Sequence, residues 1–196
     1  PEDIVFSGVG KTEEEMRVGL ERGIGQFNLE SEIEGVELSA VAAKMGKRAV
    51  ATLRVNPDVD AGTHAKLSTG KAENKFGVPY DLSADIYGRL AALPGLEMRG
   101  IALHIGSQLL SLDPLEAAFT RIGELIAKLR ADGHTISRVD LGGGLGVRYK
   151  EGEVPPTPEE YGAMVARVTK DWGVTLMFEP GRVICANAGI MATTVI

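Results

Sequence analysis

The sequence predicts an α/β fold, a partial (β/α)8 TIM-type barrel with about six strands present. Two observations predict it. Short β-branched runs alternate with amphipathic stretches along nearly the whole chain, the pattern that builds parallel sheets from βαβ units. Polar residues then recur at or just after the C-terminal ends of successive strands: Asn28 and Glu30, Arg54 and Asn56, His104 and Ser107, Gly142 to Gly144, and Glu179 with Arg182. Many strands feeding one rim describe the active face of a barrel, whereas an open doubly wound sheet gathers its ligand at one switch point.

In chain order, strands are expected at Ile4–Ser7, Gly25–Leu29, Ala49–Val55, Met98–His104, Ser137–Leu141 and Thr175–Phe178. Helices are expected between them at Thr12–Glu21, Ser31–Met45, Leu82–Ala92, Pro114–Ala131 and Pro158–Trp172. Thr12 reads as an N-cap, with Glu15 completing a capping box, and Asp113 with Pro114 is expected to cap the fourth helix, which Gly133 ends. Closing eight strands requires two more, expected before Pro1. The connection from Asn56 to Tyr80 is long enough to suggest a functional loop. A calcium loop on Asn56, Asp58 and Asp60 is disfavoured, because the glycine falls one place late at Gly62 and Leu67 stands where the closing Glu belongs.

The 196 residues are 44% hydrophobic with a net charge of -6, enough to bury one sizeable core. No basic stripe accompanies the acidic balance, which argues against nucleic acid or an anionic membrane and for a small polar ligand. No apolar run is long enough to span a bilayer. The single cysteine, Cys185, excludes an internal disulfide framework and a four-cysteine zinc site. It suggests a reducing, cytoplasmic compartment, and its apolar neighbours suggest a buried thiol.

"FSGVGKT", Phe6 to Thr12, ends like a phosphate-binding P-loop, but its defining first glycine is replaced by Val5, so it reads as a strand-to-helix turn. "DLGGGLG", Asp140 to Gly146, is compatible both with a tight strand exit and with a nest of backbone N–H groups for a phosphate. It is not a dinucleotide fingerprint, because the third glycine position is Val147. His104 in "LHIGSQ" could be a hydrogen-bonded core residue, but it shares a rim with the glycine run. In "FEPGR", Glu179 and Arg182 are either a surface ion pair or a carboxylate and a guanidinium offered to a ligand. A phosphate nest, an imidazole, a carboxylate and an arginine on one rim suit a phosphorylated aromatic cofactor, and pyridoxal 5′-phosphate is the obvious candidate.

Taken together, "FSGVGKT", "FNLESEIE", "LRVNPDVDAGTHAKLSTGKAENKFG", "LHIGSQ", "DLGGGLG" and "EPGR" resemble, in order and spacing, the diaminopimelate decarboxylase family of alanine-racemase-like, fold type III pyridoxal phosphate enzymes. The resemblance runs from Pro1 to Ile196. It implies decarboxylation of meso-diaminopimelate to L-lysine by a cytoplasmic homodimer. It also implies that His104 stacks on the cofactor ring, that Glu179 pairs with the ring nitrogen, and that Ser107, Gly142, Gly143, Gly144 and Gly181 hold the phosphate. Arg182 is implied near the phosphate and on a substrate carboxylate, and Arg54 near the phenolic oxygen. The family's Schiff-base lysine is expected upstream of Pro1, since none of Lys11, Lys44, Lys66, Lys71 or Lys75 sits in a matching motif. A C-terminal β domain is expected beyond the last ten or so residues, with a catalytic cysteine that Cys185 does not match. These residues are therefore expected to be inactive by themselves. Other readings are a racemase or a decarboxylase of ornithine, arginine or carboxynorspermidine, and a non-catalytic decarboxylase-like binding protein.

Overall fold

The computed structural model describes residues 1–59 and 76–194. Lys66, Lys71 and Lys75, and the calcium positions Asp60, Gly62 and Leu67, lie outside these described residues.

Six parallel strands pair in chain order, β1 (Val5–Phe6), β2 (Gln26–Leu29), β3 (Ala49–Asn56), β5 (Leu96–Ala102), β6 (Arg138–Asp140) and β7 (Thr175–Met177). A short β4 (Val78–Pro79) leaves this path and pairs with the end of β3. The crossovers are α1 (Glu13–Arg22), α2 (Glu32–Lys44), α3 (Tyr80–Ala91), α4 (Asp113–Ala131) and α5 (Pro158–Thr169), and α6 (Gly181–Cys185) follows β7. A doubly wound sheet reverses its strand order once. This sheet never does, so it is an arc of an α/β barrel.

The two-residue period of the strands separates the faces of the sheet. Leu29, Leu53, Ile101 and Val139 stand in register across four strands, and all are 0% exposed beneath the helices. Against this face pack Met16 and Leu20 of α1, Leu38 of α2, Leu90 of α3, Phe119 and Ile122 of α4 and Met164 of α5, forming one apolar core. Each such side chain contributes roughly 1.5–3 kcal/mol on burial. The alternate residues are polar: Gln26, Asn28, Thr52 and Asp140 are buried on the opposite, inner face. Register places Arg54, Ala102 and Asp140 on a single row there.

Local signals set most helix starts. Thr12 and Glu15 form the capping box, a second one joins Thr157 to Glu160, and the Ser31 side chain accepts the Glu34 N–H. Three expectations need correction. Asp113 lies inside α4, whose cap position is Leu112, an apolar side chain with no acceptor to offer, and the Ser111 hydroxyl accepts the Asp113 N–H instead. The strand expected to reach His104 ends at Ala102, and His104 stands two residues beyond it on the rim. Cys185 is exposed, because the five-residue α6 buries none of its side chains among the described residues.

Candidate active site

The inner face of the sheet and the loops beyond its strand ends enclose a cavity of about 230 Å³ lined by Ser7, Asn28, Arg54, His104, Asp140 and Glu179, among others. A second cavity of about 220 Å³, which includes Asn56 and Phe76, shares Arg54 and His104 with it.

Glu179 stands two residues past β7, where Leu141 N–H bonds to Met177 O and Glu179 N–H bonds to Gly142 O, tying the two strand ends together. Its carboxylate accepts the Ser7 hydroxyl at 2.7 Å, and Asn28 Nδ2 lies 3.5 Å from the same oxygen. Burial, and then the charge of Asp140, push the Glu179 carboxyl above the usual glutamate range. Asp140 Oδ2 accepts from Asn28 Nδ2 at 2.7 Å, and its other oxygen takes the Gly142 N–H at 2.9 Å. Glu179 and Asp140 therefore share a cavity in which they meet each other as well as the neutral donors Ser7, Asn28 and the Gly142 N–H, and the charge of Arg54 opposes the rise only in part.

The cation nearest in register is committed elsewhere. Arg54 Nη1 meets both carboxylate oxygens of Glu30, at 2.7 and 2.9 Å, and both side chains are largely buried. His104 is held below the ordinary histidine value, first by burial and then by the Arg54 charge. Its Nδ1 accepts the Gly143 N–H at 3.3 Å, so the neutral ring carries its proton on Nε2.

A second polar cluster forms around Arg182. Its Nη2 and Nε donate to Ser107 Oγ at 2.9 and 3.2 Å, Nη1 donates to the Tyr149 hydroxyl at 2.5 Å, and the guanidinium lies 5.5 Å from the Tyr149 ring centre. Glu179 and Arg182, three positions apart in "FEPGR", thus turn to separate partners rather than to each other.

The glycine run owes its composition to close approach. A Cβ at Gly142 would strike Leu103 O, one at Gly143 the Glu179 carbonyl oxygen, and one at Gly144 the Gly106 carbonyl oxygen. Gly142 and Gly144 also have left-handed φ values of +66° and +105°. A Cβ at Gly181 would meet nothing within 4 Å, and the Gly181 N–H donates to Glu179 O at 2.9 Å.

The structure thus brings Arg54, His104 and Glu179 to one cavity and Ser107 to Arg182, with the glycines between them. Sequence reasoning assigned no site role to Ser7, Asp140, Tyr149 or Lys11. Lys11 is buried, and its Nζ donates to Gly8 O at 2.7 Å, Asn28 O at 2.7 Å and Glu34 Oε1 at 2.5 Å. Asn28 carried a legible signal: an amide at an inward position of a strand whose four residues are all buried.

Among the described residues no group of three or more His, Cys, Asp or Glu side chains could hold a metal ion. None of their helices is long and apolar enough to cross a membrane.

Residues 1–186 match the family model described as "Pyridoxal-dependent decarboxylase, pyridoxal binding domain". A diaminopimelate decarboxylase of Zymomonas mobilis is 56% identical over 197 residues, which cover 100% of this chain and 47% of that protein. Among solved structures, the diaminopimelate decarboxylase of Helicobacter pylori complexed with L-lysine is 36% identical, with a TM-score of 0.85 over 91% of this chain and 45% of its own. That of M. jannaschii, also in complex with L-lysine, is 32% identical, with a TM-score of 0.84 over 93% of this chain and 44% of its own. The chain spans about half the length of the curated relatives it matches.

Proposed function

Because the chain belongs to the pyridoxal-binding domain family of the pyridoxal-dependent decarboxylases, we propose that it is the cofactor-binding barrel of an enzyme that converts meso-diaminopimelate to L-lysine and CO2. The carrying observation is the position of Glu179, a carboxylate set beside Asp140 in a cavity that also presents the flat ring of His104. Among the described residues the nearest cation to this pair of acidic groups is Arg54, which is shared with Glu30, so a further cation would suit the cavity. Glu179 would pair with a protonated ring nitrogen, whose charge would offset the burial and the charge repulsion that otherwise raise its proton affinity.

The other polar groups fit the rest of the cofactor. Arg182, already oriented by Ser107 and Tyr149, would take the phosphate or a substrate carboxylate, for which a guanidinium fork is suited. The bond from Gly143 N–H to His104 is long at 3.3 Å, so an anion above the glycine run could replace it. His104, neutral and half-buried, would cover a ring face, and Arg54 stands at the same cavity with its charge partnered by Glu30. When bound, pyridoxal phosphate supplies an electron-poor ring that accepts the electron pair released as the substrate's α-carboxylate leaves as CO2. Glu179 would contribute by holding a proton on the ring nitrogen.

Diaminopimelate as substrate is supported by relatives of that name that match along the whole chain. A cytoplasmic homodimer accompanies this reading. The test is to assay the full-length protein carrying these residues with pyridoxal phosphate and meso-diaminopimelate, ornithine or arginine, measuring CO2 and the amine product. Release of CO2 and lysine from meso-diaminopimelate supports the proposal. Preference for ornithine or arginine would reassign the substrate, and racemisation without CO2 would remove the decarboxylase reading.

A further inference from the structure

The buried polar residues of the inner face form a ladder that ends on the two carboxylates. Gln26, Asn28 and Thr52 are each 1% exposed or less. Gln26 Nε2 and Thr52 Oγ1 both donate to Asn28 Oδ1, at 2.7 and 2.6 Å. With its oxygen so engaged, Asn28 presents its nitrogen to the cavity; the flipped amide would set an oxygen beside two carboxylates. That nitrogen has two hydrogens to give. One goes to Asp140 Oδ2 and the other to Ser7 Oγ, both at 2.7 Å, and Ser7 passes its own hydrogen to Glu179 Oε1 at 2.7 Å. The Asn28 main chain is anchored as well, by Lys11 Nζ on its carbonyl oxygen at 2.7 Å.

We infer that Asn28 is a positioning residue that acts on Glu179 through Ser7, fixing the carboxylate at the cavity and favouring its charged form, while its second hydrogen holds Asp140 Oδ2 in place. This rests on the proposed function, because it matters only if Glu179 partners a cationic ring nitrogen. Donated hydrogen bonds favour an ionised carboxyl, and burial beside another carboxylate opposes it. The groups facing Glu179 are Asp140 at the end of β6, Arg54 on β3 with its partner Glu30 after β2, His104 beyond β5, and the neutral Ser7 and Asn28. Without the donors the opposing effects remain. Glu179 then stays protonated to higher pH, where the ring cation loses its partner.

The full-length protein carrying these residues, freed of cofactor, is titrated with pyridoxal phosphate from about pH 5 to about pH 9. Parent, Ser7→Ala, Ser7→Thr and Asn28→Leu are compared, with melting curves at each pH. Should Asn28→Leu fail to fold, Ser7→Ala carries the test alone. The expected result is an acid limb of cofactor affinity shifted up by about one pH unit in Ser7→Ala and Asn28→Leu, with the loss shrinking toward alkaline pH. Ser7→Thr, which keeps the hydroxyl, holds the parent's limb. An equal loss at every pH marks a purely structural role and overturns the inference, as does an unmoved limb in Ser7→Ala or a parent with no acid limb. A parent that does not bind pyridoxal phosphate removes the proposed function too, whereas a parent that binds beside unshifted variants removes this inference alone.

Discussion

Ser7 and Glu179 lie 172 positions apart, yet the Ser7 hydroxyl donates to Glu179 Oε1 at 2.7 Å. Ser7 follows β1 and Glu179 follows β7, the two edges of the six-strand arc. Only a sheet curved enough to bring its edges toward one another allows that bond, so the contact reports the barrel geometry and the site together.

Glu179→Gln keeps a hydrogen-bonding group of similar shape but cannot hold a charge. In the full-length protein saturated with pyridoxal phosphate, which this variant should bind more weakly and without an acid limb, we expect CO2 release from meso-diaminopimelate to fall by about a hundredfold or more, a few kcal/mol of lost stabilisation as charge develops. Unchanged turnover at full cofactor occupancy would show that the ring nitrogen is partnered elsewhere.

Gly143 lies against the Glu179 peptide, so a side chain there must displace the very turn that aims the carboxylate. Gly143→Val is expected to lower the affinity for pyridoxal phosphate at least tenfold, about 1.4 kcal/mol, with little change in helical circular dichroism because the run lies on a rim loop. Equal affinity in the two proteins would mean that the loop yields without disturbing the site.

Lys11 and Glu34 form an ion pair whose side chains are 1% and 9% exposed. Lys11→Met leaves the Glu34 carboxylate buried without its cation and frees two carbonyl oxygens, at an expected cost of about 3–5 kcal/mol. Adding Glu34→Leu should recover part of that loss. A denaturant titration that finds the double variant as unstable as the single one would show that the carbonyl contacts, not the buried charge, dominate.

His104 and Glu179 respond to pH in opposite directions. The folded His104 has a lowered pKa, so just below the ordinary histidine value the unfolded chain binds the extra proton and stability falls as pH drops. The folded Glu179 has a raised pKa, so it contributes stability at low pH that is lost as pH rises through its folded value. Melting temperatures of cofactor-free full-length protein should therefore lose their His104-dependent acid-side fall in His104→Gln and their Glu179-dependent decline in Glu179→Gln. Superimposable pH profiles for parent and variants would contradict both shifts.

Local chemistry made the alternation of strands and helices legible in the chain. The strand periods separate Phe27 and Leu29 from Gln26 and Asn28, and Thr12 with Glu15 marks a helix start through hydrogen bonds that span three residues. The rim residues could also be read, because a residue just past a parallel strand sits at the same end of the sheet whatever the sheet's curvature. Their partners could not. "FEPGR" permits an ion pair between Glu179 and Arg182, and only the folded chain sends one to Ser7 and the other to Ser107 and Tyr149. The burial of Lys11, the exposure of Cys185 and the amide orientation of Asn28 were likewise decided in three dimensions. Local propensity acts over a few residues through backbone geometry. Which side chains share a cavity depends on how strands far apart in sequence are carried round the arc, and that comes from the helices packing against the outer face of the sheet.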